Sequence, residues 1–119
     1  MRTIIAAFSC LLLTAVPAAV WAHHSAAQFD FGQTVEVEGV VKQISVENPH
    51  ISLLLEVSDA KGKREIEFEG HSRNNVYRRG WRPDMVHVGD TIKIEIAPTR
   101  SGEEGGYVKN FILEDGTEF

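Results

Sequence analysis

The sequence predicts an all-β protein with one short helix, built as a five-stranded OB-like barrel, with a small β-sandwich as the alternative. Three observations predict it. Apolar residues recur mostly at period two from Val35 to Val57 and again from Ile92 to Leu113, the spacing of strands with one buried face. One segment of helical character, Arg73 to Arg79, separates the third apolar run from the fourth. The resulting order is three strands, a helix and two strands, which is the order of an OB-type barrel.

The first strand opens with Val35 and Val37 alternating with Glu36 and Glu38. Its alternation slips at Gly39-Val40-Val41 and resumes at Ile44 and Val46. A glycine at such a slip predicts a bulge or sharp bend in a long strand. Asn48-Pro49 is a turn signal. Ile51, Leu53, Leu55 and Val57 form one face of a second strand, and Asp59 to Lys63 reads as a hairpin loop. Ile66 and Phe68 mark the third strand. Ser72 is a candidate N-cap and Gly80 a candidate C′ residue for the helix, after which Trp81 is expected to tuck onto the core. Val88-Gly89-Asp90 turns into a fourth strand carrying Ile92, Ile94 and Ile96. Thr99 to Gly106 is an exposed loop, Tyr107 to Leu113 the fifth strand, and Asp115-Gly116 a turn in the tail.

The N-terminus reads as a targeting segment. Arg2, an apolar run from Ile4 to Val20, and small residues with Val20 and Ala22 at −3 and −1 form a signal peptide over residues 1–22. An uncleaved anchor is the alternative, because a span needs about 20 apolar residues. Cys10 lies too early in the apolar run for a lipoprotein site. Cleavage leaves 97 residues: an arm over 23–33 and one domain over 34–119, enough for one compact core. The only cysteine leaves with the leader, so this periplasmic or secreted domain stands without disulfides. Eleven basic residues then face 17 acidic ones. That balance argues against nucleic acid, whose binding is driven by Lys and Arg. No membrane insertion is expected after cleavage.

Processing would create the most informative feature. A chain beginning at His23 carries a free α-amine, with a pKa near 7.7–8.0, on the same residue as an imidazole. Amine and Nδ1 can chelate one metal ion, and a second imidazole can complete a set of three nitrogens, which favours Cu(II). His24 is adjacent, and His50 follows the Asn48-Pro49 turn. His71, just before the helix, is a possible additional ligand; His87 reads as an edge residue. A solvated His-His arm is the bland alternative. Arg73, Arg78, Arg79 and Arg82 surround Trp81 in the one basic patch, and Arg79, Trp81 and Arg82 are candidate partner contacts. The favoured reading of Arg78 and Arg79 is a helix C-terminus, where the dipole favours cations. No nucleophile elbow, phosphate loop or HExxH motif is present.

The chain resembles small exported bacterial proteins grouped as domain of unknown function 6152. The residues that carry the resemblance are His23-His24-Ser25, Phe29-Asp30, Val37-Glu38-Gly39-Val40-Val41, Asn48-Pro49-His50, Arg79-Gly80-Trp81, Val88-Gly89-Asp90 and Asp115-Gly116. The resemblance implies a layout and no activity. Phe68 departs mildly from it, since several members carry an aromatic, often Trp, nearby. His71 and His87 are outside its pattern. The mature N-terminus alone is also similar to exported copper-resistance carriers and copper monooxygenases, and implies copper chelation without the oxidative chemistry.

The leading expectation is a non-enzymatic periplasmic metal-binding protein, with copper ahead of zinc, for carriage or sequestration. The alternative is an OB-like envelope module that binds a small ligand or protein partner without metal. A small copper enzyme is a third, weaker reading.

Overall fold

A computed structural model describes residues 26–119. The leader and the residues His23, His24 and Ser25 lie outside the described residues.

Five strands and one helix follow a short 3-10 turn at Ala26–Gln28: β1 Val35–Val46, β2 Ile51–Asp59, β3 Gly62–Gly70, α1 Arg73–Arg78, β4 Thr91–Pro98 and β5 Gly106–Ile112. The strands form a closed barrel in the order β1-β2-β3-β5-β4, with β4 pairing back onto β1. The expected OB-like barrel is the fold, and the sandwich alternative falls, because one closed sheet replaces two stacked ones.

The long first strand makes this closure possible. Val35–Val40 pair with β4, and Val40–Val46 pair with β2. The expected irregularity is present, but the bulge itself falls between Val41 and Gln43. Gly39 marks the bend for another reason. A Cβ built there would stand 2.9 Å from the Glu56 carbonyl oxygen and 3.1 Å from Leu55 Cβ. Only glycine lets β2 approach that closely.

Alternation then fills the interior. Ile51, Leu53, Leu55 and Val57 from β2, Ile66 and Phe68 from β3, and Ile92, Ile94 and Ile96 from β4 share one core with Val41, Val108 and Phe111. α1 begins where Ser72 Oγ accepts from the Asn75 N–H at 3.3 Å. It ends at Gly80, whose φ of +107° suits glycine. Trp81 folds back at 4 % exposure. Val76, Trp81, Val86 and Phe119 plug this end of the barrel. The tail reaches its place by pairing: Phe111 and Phe119 exchange two backbone bonds of 3.0 Å each. Among the described residues no helix is long and apolar enough to cross a membrane.

Gly39→Ala forces backbone, rather than a side-chain tip, to move. It is expected to destabilise the barrel by about 1–3 kcal/mol, read as a lower urea midpoint.

Candidate functional site

The segment after the described start is bound to the barrel. Phe29 bridges Thr99, the Asp30 N–H donates to Pro98 O at 2.8 Å, and the Arg100 N–H donates to Gln28 O at 2.8 Å. Arg100 Nε also donates to Ala27 O. Phe29 is buried, which stabilises the docked arm by roughly 1.5–3 kcal/mol. The arm expected over 23–33 is thus, from Ala26 onward, a strap along the end of β4.

The strap leads to a histidine. The Phe29 and Phe31 rings lie 5.7 and 5.1 Å from the Tyr107 ring. Tyr107 in turn meets the His71 ring edge-on at 5.1 Å, and its hydroxyl is 3.1 Å from His71 Nδ1. This chain of rings sits at the seam where β3 meets β5, a parallel pairing of only Glu69 with Tyr107 and Gly70 with Val108. Sequence reading missed the Tyr107–His71 pair. The two are 36 residues apart, and no local spacing announces a contact made by barrel closure.

His50 and His71, distant along the chain, are brought to one end of the β2–β3 ladder. The β2–β3 register pairs Ser52 with Glu69, and one step beyond it the Ile51 N–H donates to His71 O at 3.0 Å. Both histidines therefore stand at the adjoining ends of two strands. His50 is exposed and His71 half-buried. The Asn48-Pro49 turn before His50 is tied to the start of α1, through the Arg73 N–H on Glu47 O at 3.0 Å and an Arg73–Glu47 ion pair at 3.6 Å.

Burial, and then the nearby Arg79 charge, hold the His71 imidazole below its ordinary pKa of 6.5. Burial, helped by Glu69, pushes the Tyr107 phenol above 10. Both groups are neutral at neutral pH, and neutral imidazole is the form that ligates metals. Among the described residues no group of three or more His, Cys, Asp or Glu side chains is arranged to hold a metal. The proposed first ligands, His23 and His24, are outside those residues. His87 is exposed and faces Asp90 at 3.6 Å, well away in sequence and pairing from this seam.

The basic patch is largely committed within the chain. Arg79 donates to Lys109 O at 3.0 Å and Asn110 Oδ1 at 2.6 Å. Arg82 donates to Tyr77 O and Trp81 O and lies 5.4 Å over the Tyr77 ring. Trp81 belongs to the core plug. Its Nε1 has no hydrogen-bond partner among the described residues, and its ring meets Tyr77 edge-on at 5.7 Å. Of the three expected partner contacts, only the two arginines are exposed.

An OB-like barrel strapped by its own N-terminal arm is the class that this geometry defines. Within it, the model of a family of unknown function, DUF6152, matches residues 10–109, and the chain belongs to that family. No curated protein and no solved structure matches it.

A pH dependence follows from His71. Its folded pKa is depressed, so the unfolded chain takes up the proton first as pH falls through about 6.5. Stability from this group is full above that pH and declines below it, down to the folded pKa. The urea midpoint of the wild type is expected to fall through this window more steeply than that of His71→Gln.

Proposed function

We propose that the protein is exported, begins at His23 after cleavage, and binds Cu(II) for carriage or sequestration. In this reading the His23 α-amine and imidazole form the chelate, with His24 assisting. His50 and His71 compete for the remaining nitrogen position at the β2–β3 end. One observation carries it: the arm that starts just after the histidine pair is strapped, through Phe29 and Tyr107, to a neutral histidine. The three residues from His23 to Ala26 extend about 10 Å.

The chemistry of the donor set supports copper. Nitrogen donors and an open planar arrangement favour Cu(II) over harder cations. In the tautomer whose Nδ1–H donates to the Tyr107 oxygen, His71 keeps its Nε2 lone pair for a metal. An outer partner of this kind fixes the tautomer and raises ligand basicity. Excess carboxylates around the chain attract a dication without themselves selecting it.

The test is intact mass of the exported protein, then Cu(II) titration followed by electron paramagnetic resonance. The expected result is a start at His23, a nitrogen-rich signal, loss of tight binding in His23→Ala, and roughly tenfold weaker binding in Tyr107→Phe. A different start, or unchanged copper binding in His23→Ala/His50→Ala, overturns the reading. His71→Ala against His50→Ala then identifies the third nitrogen.

A further inference from the structure

The two ends of the barrel differ. α1, Trp81, Val86 and Phe119 plug one. At the other, the start of β1, the β2–β3 hairpin and the β4–β5 loop surround a cavity of about 450 Å³. Its floor is Val57, Ile66, Phe68 and Ile96. Val35 stands at its rim, 41 % exposed, an apolar side chain with no apolar cover.

The rim is acidic. Asp59, Glu103 and Glu104 line the cavity, whereas Glu36 and Glu38 alternate with Val35 and Val37 and turn their carboxylates to the outer face of β1. One cation answers these three carboxylates. Arg64 is shared between Asp59, at 2.7 Å, and Glu104. Lys93 holds Glu36 and Glu38, at 3.2 and 3.8 Å, on the outer face of the barrel. The Glu103 carboxylate has no partner among the described residues. The mouth therefore keeps an excess of negative charge above an apolar floor.

We propose that this mouth binds a single-chain aliphatic cation. The chain lies on Val57, Ile66, Phe68 and Ile96, and the ammonium group sits between Glu103 and Glu104. The volume is that of a small-ligand pocket, and an apolar floor with few polar groups is the usual composition of such sites. Charge decides the class of head group. Carboxylates over a low-dielectric wall concentrate their field on the entrance. A chain ending in carboxylate or sulfate meets like charge there and is rejected. The site uses no histidine, so it stands or falls independently of copper binding.

The probes are decylammonium and decanoate, of equal chain length, titrated calorimetrically below micelle formation into the metal-free mature protein. Methyl resonances of Val57, Ile66 and Ile96 report the place. Decylammonium is expected to bind saturably, about tenfold or more tighter than decanoate, and to shift those methyls. Val35→Lys places a cation at the exposed rim, where folding tolerates it. It is expected to weaken decylammonium by about tenfold with an unchanged urea midpoint, and Glu103→Gln weakens it less. Equal affinity for the two probes, shifts confined to the α1 end, or undiminished binding in folded Val35→Lys each overturns the proposal.

Discussion

β1 serves two neighbours in turn, and the bend at Gly39 to Val41 is where it changes from one to the other. Before the bend it pairs with β4, after it with β2. Without that change the five strands would form an open sheet with two bare edges, an aggregation hazard. The bend needs a residue with no Cβ, because the Glu56 carbonyl occupies the space. It also needs an extra residue, which the bulge beside Lys42 supplies. Closure in turn decides where everything else sits, since it brings the end of β3 against the start of β5.

That second seam is the weak one. Two parallel residue pairs join β3 to β5, against six each for β1 with β2 and with β4. The chain reinforces it from outside. The strap at Phe29 and Phe31 covers Tyr107, and Tyr107 holds His71, the residue that leads into α1. On the far side Arg64 ties the hairpin end to the β4–β5 loop through Asp59 and Glu104. Arg64 lowers the Asp59 carboxyl to about 2, so this tie persists well into acid. A seam closed by side chains is easier to open than one closed by backbone.

Much of the fold was legible because alternation is a strong signal. Ile51, Leu53, Leu55 and Val57, like Ile92, Ile94 and Ile96, point one way at every second residue and are buried. Ser72 and Gly80 announced the helix ends by local backbone chemistry, and Trp81 tucks in as its position implied. The hairpin loop was overestimated: the turn is Ala60-Lys61, and the charged residues around it are strand. Lys63 and Arg64 pair in the ladder with their charged ends in solvent or in ion pairs, which a hydropathy pattern reads as loop. The isolated bridge of the tail, Glu118 with Ile112, was not legible, because it depends on the backbone bonds that Phe119 finds on Phe111.

The candidate site was legible only in its residue types. His50 could be placed in a turn from Asn48-Pro49, but its closeness to His71 depends on the β2–β3 register continuing to the strand ends. Tyr107 could be placed on a strand and not against an imidazole. The barrel mouth is the reverse case. Glu36 and Glu38 read as an ordinary solvated strand face, and Glu103 and Glu104 as loop solubilisers. Each description is locally correct. Only closure carries Glu103 and Glu104 to one rim with Asp59 around Val57, Ile66, Phe68 and Ile96. Charges that are unremarkable on separate segments become a field with a direction once a barrel gathers them over an apolar wall. The property that distinguishes the two ends of this molecule therefore belongs to its topology more than to any single motif.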